Sequence, residues 1–184
     1  MAPRSRPPAY AQVLGDNGIV YASFTHLNGQ WMRGLFAKRD IASGEVLGVY
    51  RGVVISPKAV QTSTSLYLMT CRDPTDLRKR ITIDGDPNTT PSNLVGFANY
   101  SKHKYANANF VDATTRTTGS NIVLTANQNI PRGTEVRVDY DMGSRATPFL
   151  DMELAKGVPE AAFEDTAYRT LVWAYPVKSG GGGR

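Results

Sequence analysis

Two tyrosines, Tyr50 and Tyr140, are the side chains of this 184-residue sequence best placed to do chemistry. Each ends an alternating apolar run that follows a glycine-centred turn, and the turn segments 39–46 and 128–136 echo one another. The echo predicts two strand–turn–strand units, with the tyrosines at equivalent strand positions. Because a phenol can both donate and accept a hydrogen bond, such a pair suits the wall of an apolar pocket that orients a polar group.

Nucleophile and metal chemistry are not indicated by the remaining candidates. The sequence has one cysteine, Cys71, and two histidines, His26 and His103, at spacings that match no zinc motif and no catalytic pair. We interpret all three as structural or surface residues, and a single cysteine cannot form an internal disulfide. No metal is predicted.

Composition favours one soluble globular domain, with 41% apolar and 20% charged residues. The apolar runs are too short to cross a bilayer, and the first residues lack the apolar stretch of a secretory signal, so we expect a nuclear or cytoplasmic protein that is not secreted. The net charge is +5, with one basic cluster at 78–80. That cluster has no interleaved aromatics, so we interpret it as a solvated face, with a nuclear address as the alternative, and expect no nucleic-acid reading.

The elements that must position the tyrosines fall in the middle of the chain. Residues 1–17 form a Pro/Arg-rich arm, and 18–143 is a mostly β unit with strands predicted at 18–22, 46–50, 81–84 and 121–125. Apolar residues at four-residue spacing after Pro159 predict an amphipathic helix within a carboxy-terminal segment, 144–178. A flexible glycine tail, 179–184, follows.

Four ordered motifs carry a family resemblance. They are 33–37 (RGLFA), 92–101 (SNLVGFANYS), 106–110 (ANANF) and 138–141 (VDYD). Their order resembles the SET domain of protein lysine methyltransferases, over about 29–143, without the flanking zinc modules of many relatives. The resemblance implies a mostly β fold with some α-helix (α+β): a β-clip-like arrangement of short strands in which residues 92–109 thread into a pseudoknot. It also implies that the carboxy-terminal helix closes the active site.

The resemblance implies roles on the lysine side of such a site. Tyr140 matches the family's catalytic tyrosine, and Tyr50 matches a tyrosine that lines the lysine channel. Phe110 and Val138 match positions that shape the channel and limit how many methyl groups fit. The alternative for these residues is ordinary packing within strands.

On the methyl-donor side, the resemblance implies S-adenosylmethionine as cofactor. Arg33 and Gly34 match the loop around its methionine end, while Asn99 and Tyr100 match the asparagine–histidine pair that holds its amino group and adenine. Trp173 matches an aromatic that stacks on adenine. A solvated Arg33, a turn-forming Asn99 and a core Trp173 are the alternatives.

The leading functional hypothesis is therefore a protein lysine N-methyltransferase acting on a flexible peptide, for which a histone tail laid along a groove as an extra strand is one candidate. The alternative is a catalytically silent interaction module, because residues 83–94 also resemble the PR subset of SET domains. In that subset the asparagine–histidine motif is eroded much as it is at Tyr100. A third possibility is an enzyme specialised for one non-histone protein. No membrane partner is expected, and a homodimer could close the site in place of Trp173.

Overall fold

A computed structural model describes residues 15–27 and 30–140. Short strands dominate these residues, together with one helix, α1 (Pro57–Thr62), and 3₁₀ turns at Leu94–Phe97 and His103–Tyr105. In chain order the strands are β1 (Gly15–Asp16), β2 (Val20–Leu27), β3 (Gln30–Ala37), β4 (Val46–Tyr50), β5 (Val53–Ile55), β6 (Leu68–Arg72), β7 (Arg80–Asp84), β8 (Asn99–Tyr100), β9 (Ala108–Asp112), β10 (Ile122–Ala126) and β11 (Glu135–Val138). The four strands predicted from the sequence are confirmed, with shifts at some of their ends.

The strands form two sheets. The larger has eight strands in the order β1-β2-β3-β11-β9-β10-β4, with β8 also paired to β11, and the smaller has three in the order β5-β7-β6. Alternating apolar residues of the larger sheet form most of the core. Successive side chains of a strand point to opposite faces, and burying the apolar face is favourable. Its fully buried members include Val20, Leu35, Leu47, Ile122, Leu124 and Val136.

The two echoing segments bind to each other with approximate twofold symmetry. Ile41 and Ile130 exchange backbone hydrogen bonds of 2.9 Å in both directions. Both turn glycines have the predicted positive φ, 85° at Gly44 and 80° at Gly133. Four more hydrogen bonds follow the same symmetry: Gly44 N to Ala126 O, Gly133 N to Ala37 O, Ser43 N to Asn129 Oδ1 and Arg132 N to Asp40 Oδ1.

The prediction that the two tyrosines occupy equivalent strand positions is wrong. The offset that places Gly44 on Gly133 places Tyr50 on Asp139, one residue before Tyr140. Tyr50 is the last residue of β4, whereas Tyr140 lies beyond β11, which ends at Val138. Because Tyr140 is released from the strand ladder, its side chain is free of the in-and-out alternation that a strand imposes.

Strand β11 connects β3, from the early part of the chain, with β8 and β9, which come later in the sequence. It pairs antiparallel with β3 and in parallel with both β8 and β9, which flank the segment 101–107. The buried Asn107 ties this segment down, since its amide donates to Glu135 O at 2.9 Å and accepts from Arg137 N at 2.8 Å. This double parallel pairing is the arrangement that the predicted pseudoknot requires.

Helix α1 was not predicted from the sequence. Its signal was a Ser-Pro pair, since Ser56 caps the helix by accepting from Ala59 N at 3.2 Å and Pro57 occupies the first turn. The predicted carboxy-terminal helix lies outside the described residues. Within the described part of the chain, no helix is long and apolar enough to span a membrane.

Candidate active site

Tyr140 reaches back from the end of β11 into the fold. Its hydroxyl donates to the carbonyl oxygen of Ala98 at 2.6 Å. Although 36% of the residue's surface is exposed, the hydroxyl end is covered, and this burial raises the pKa of Tyr140 well above its usual range. The nearby Tyr67, Tyr50 and Glu135 raise it further. The raised pKa keeps this phenol protonated at alkaline pH values where an ordinary tyrosine ionises.

Tyr50, the last residue of β4, is anchored in the same way. Its hydroxyl donates to the carbonyl oxygen of Tyr67 at 2.6 Å, and only 5% of the residue is exposed. Burial is the main reason that the pKa of Tyr50 is raised, with the Asp84 carboxylate adding to the shift. Tyr50 is hydrogen-bonded to Tyr67, and both disfavour the ionisation of Tyr140, so we call these three residues the tyrosine cluster.

Tyr67 was missed by sequence reasoning. It precedes β6 by one residue and is half-buried, and burial raises its pKa while the Arg33 guanidinium opposes the rise. It belongs to no echo and no glycine turn, so periodicity gave no signal for it. Only the docking of the smaller sheet on the larger one brings its carbonyl to Tyr50.

Of the two predicted channel residues, Phe110 lies beside the cluster and Val138 lies in the core. The Phe110 ring meets the Tyr50 ring edge-on, with centroids 5.4 Å apart. Val138 is fully buried between Tyr100 and Ala108, its partners in the two parallel pairings, so its side chain belongs to the core. Their roles in a lysine channel stay predictions.

The substituted Tyr100 is buried next to the catalytic candidate. Its ring lies 5.7 Å from the Tyr140 ring at 51°, and its backbone pairs with Val138. The side chain thus supports the position of Tyr140. The predicted contact of its backbone with adenine stays a prediction.

Gly34 and Asn99 come together at the crossing of β3, β8 and β11. The Asn99 amide donates to the carbonyl oxygen of Arg33 at 3.0 Å and to Glu135 Oε1 at 2.7 Å. A Cβ added at Gly34 would lie 2.9 Å from Glu135 Oε1 and 3.3 Å from the Asn99 amide nitrogen. Glycine is therefore required here for close packing. We call the polar surface formed by Gly34 and the Asn99 side chain the cradle.

Arg33 is held in place and is not a freely solvated side chain. Its Nη1 donates to Asn88 Oδ1 at 2.7 Å, and its guanidinium lies 5.2 Å from the centre of the Phe97 ring. The cation–π contact and the hydrogen bond hold the positive guanidinium of Arg33 next to the turn Leu94–Phe97, which precedes β8. The predicted pairing with a donor carboxylate is compatible with this position.

Asn93 and Gly85 support the position of Tyr50. The sequence analysis did not predict this role. The fully buried Asn93 donates to Gly85 O at 2.5 Å and accepts from Arg51 N at 3.1 Å. A Cβ on Gly85 would come within 2.4 Å of the Tyr50 ring. Glycine at 85 thus makes room for the Tyr50 ring. Asn93 holds Gly85 and Arg51, the residue after Tyr50, in place by hydrogen bonds.

The structure brings together both tyrosines, Phe110, Asn99, Tyr100 and the Arg33–Gly34 pair. Trp173, predicted to stack on adenine, lies outside the described residues.

Comparison with known proteins agrees with this architecture. The SET domain model matches residues 32–141, well over half of the chain, and no curated protein matches the sequence. Among solved structures, the methyltransferase domain of human PR domain-containing protein 2 is similar with a TM-score of 0.52 and 18% identity, over 71% of this chain and 82% of that one. The methyltransferase domain of human histone-lysine N-methyltransferase SETMAR has a TM-score of 0.47 and 21% identity, over 60% of this chain and 40% of that one. Given the family match and the β-rich fold built around the parallel pairings of β11, this chain belongs to the SET-domain family.

Proposed function

We propose that this chain is a protein lysine N-methyltransferase that uses S-adenosylmethionine as methyl donor. The observation that carries the proposal is the arrangement of two neutral phenols, Tyr140 and Tyr50, next to a glycine-lined polar cradle at Gly34 and Asn99. A lysine pocket and an amino acid pocket would then meet inside one buried site. When bound, the donor supplies an electrophilic methyl group on a sulfonium.

The fit of the donor rests on Gly34 and Asn99. The Asn99 amide hydrogens are directed at Arg33 O and Glu135, so its Oδ1 presents an acceptor of the kind that an ammonium needs. Arg33 offers a cation near the same cradle for a carboxylate. These are the two charged groups of an amino acid, as at the methionine end of the donor.

The tyrosine cluster suits a neutral amine. Tyr140 and Tyr50 each donate to a backbone carbonyl, and a phenol oxygen can accept a hydrogen bond at the same time. Two acceptors can hold the N–H groups of an amine while its lone pair points elsewhere. An apolar, buried site also disfavours the ammonium form, so a lysine with a free pKa of about 10.4 can lose its proton there.

Alignment then does most of the catalytic work. Holding an amine and a methyl carbon in a near-attack pose is worth up to about 7–11 kcal/mol in favourable intramolecular reactions, so no strong general base is required. We propose an exposed lysine on a flexible peptide as substrate, with a histone tail as one candidate, and residues 144–178 as the segment that closes the site.

The test is a methylation assay with radiolabelled S-adenosylmethionine on core histones, nucleosomes and whole-cell lysate. Label on a specific band that disappears with Tyr140→Phe, but persists with Tyr105→Phe, would support the proposal. Tyr105 is a matched control because it would lose the same hydroxyl, lies in the 3₁₀ turn His103–Tyr105 and is not a member of the tyrosine cluster. Absence of label on every substrate from the unsubstituted protein would contradict it.

A second candidate function is a protein-interaction module without catalysis. It is favoured by Tyr100, whose bulky ring fills space beside Tyr140 where the family motif has histidine. Failure of the protein to bind S-adenosylhomocysteine in calorimetry, together with absent methylation, would favour this second function.

A further inference from the structure

Strand β11 carries a buried polar face directly behind the donor cradle. All four of its residues are buried, and alternation places Val136 and Val138 on the core side and Glu135 and Arg137 on the other. Arg137 pairs in register with Asn99. Glu135 Oε2 lies 3.7 Å from Arg137 Nε, and both side chains are held out of water.

That carboxylate fixes the orientation of Asn99. An asparagine amide can reverse, which exchanges a donor for an acceptor at the same place. Here both groups that face the Asn99 nitrogen, Arg33 O and Glu135 Oε1, can only accept, at 3.0 and 2.7 Å. Reversal would set oxygen against oxygen at both contacts, so Asn99 Oδ1 must point away from Glu135. No group of the described residues donates to that oxygen.

We propose that Glu135 is a positioning residue for the methyl donor, which acts through Asn99 on the donor's ammonium group. This inference rests on the proposed function, since it requires that the site binds S-adenosylmethionine. Glu135 contributes in two ways: its hydrogen bond keeps Asn99 Oδ1 aimed at the cradle, and its negative charge makes the cradle favourable for a cation. Gly34 allows both, because any side chain there would collide with Glu135.

The test compares two ligands in calorimetry: S-adenosylhomocysteine and its analogue without the α-amino group. With Glu135→Gln we expect about ten- to a hundredfold weaker binding of S-adenosylhomocysteine, the range for loss of a charge-assisted hydrogen bond. The deaminated analogue should bind within about twofold of its affinity for the unsubstituted protein, because it has no group for Asn99 Oδ1 to hold. In an Asn99→Ala background, Glu135→Gln should weaken S-adenosylhomocysteine binding by a clearly smaller factor, because only the contribution of its charge is then left to lose.

A matched control is Glu45→Gln. Glu45 also pairs with an arginine, Arg39, but it lies in the first echo, away from the cradle. It should change the affinity for neither ligand. If Glu135→Gln melts below the assay temperature, Glu135→Asp replaces it, since the shorter carboxylate keeps the charge but withdraws from Asn99, and the same ligand-selective loss is expected.

Equal weakening of both ligands by Glu135→Gln would overturn the inference and leave Glu135 as a structural partner of Arg137. Unchanged affinity for S-adenosylhomocysteine would overturn it as well. Failure of the unsubstituted protein to bind S-adenosylhomocysteine is a separate result, which would remove the proposed function and this inference with it.

Discussion

The Tyr140 hydroxyl donates to the carbonyl oxygen of Ala98, the residue directly before Asn99. This hydrogen bond of 2.6 Å joins the tyrosine cluster to β8, which carries Asn99 of the proposed donor site. A shift of β8 would therefore move both halves of the proposed site together.

Tyr140→Phe should separate binding from turnover. The ring would keep its packing against Tyr100, but the phenol oxygen would be lost from the place where the amine is held. On a protein substrate that the unsubstituted enzyme methylates, we expect the turnover rate to fall by about 100-fold or more. This is the effect of removing one positioned polar group from an active site. Affinity for S-adenosylhomocysteine should stay within about twofold. An equal loss in both quantities would show that the hydroxyl is mainly structural.

Phe110→Tyr should lower the number of methyl groups that are added. The Phe110 ring stands edge-on to Tyr50, so a new hydroxyl would enter the tyrosine cluster and occupy space or hold water beside the amine. Mass spectrometry of the product should show more monomethyl-lysine and less of the higher states than with the unsubstituted protein. An unchanged product distribution would place Phe110 outside the channel.

Gly34→Ala should weaken donor binding. The added Cβ would lie 2.9 Å from Glu135 Oε1 and 3.2 Å from the Phe36 ring, so the carboxylate that orients Asn99 must move. We expect an affinity loss for S-adenosylhomocysteine of about tenfold or more, equivalent to about 1.4 kcal/mol, by calorimetry.

Gly44→Ala is the matched control for that substitution. A Cβ there meets nothing within 4 Å, but the φ of 85° is unfavourable for alanine. It should cost about 1 kcal/mol in unfolding free energy, measured by urea denaturation, with donor affinity unchanged. Comparable loss of affinity in both variants would point to general destabilisation.

Asn93→Ala should destabilise the fold strongly for a single polar substitution. It leaves the Gly85 carbonyl and the Arg51 N–H without their side-chain partner in a fully buried position. We expect a loss of about 1–3 kcal/mol in unfolding free energy. Thermal and urea denaturation measure it, and a loss below a few tenths would mean that the loops re-pair locally.

Raising the pH above about 10 should lower the stability of the folded protein. The pKa values of Tyr50 and Tyr140 are raised in the fold above the ordinary value of about 10, so the folded state keeps protons that the unfolded state loses. Their stabilising contribution is complete below pH 10 and decreases as the pH rises above it. In a spectrophotometric phenol titration, Tyr50→Phe and Tyr140→Phe should each remove one late-titrating group. Normal titration of all tyrosines would contradict their burial.

The sequence by itself determined the local elements and much of the site. Glycines at 44 and 133 and the apolar alternation around them were sufficient for the turns, because positive φ and side-chain alternation are local properties. The ordered motifs also identified Tyr50, Tyr140, Gly34 and Asn99, which the structure brings together.

Only the tertiary structure decided which groups these residues contact. Tyr67 carries no local signal, and the sequence marks Glu135 only as the glutamate after the second glycine turn. The carbonyl that Tyr67 presents to Tyr50 and the carboxylate that Glu135 presents to Asn99 are contacts between different strands. Likewise the echo suggested equal places for the two tyrosines, but the departure of the chain from β11 after Val138 moved Tyr140 out of the ladder. Hydrogen bonds between residues distant in sequence depend on how sheets pair and pack, and neither spacing nor periodicity along the chain encodes that pairing.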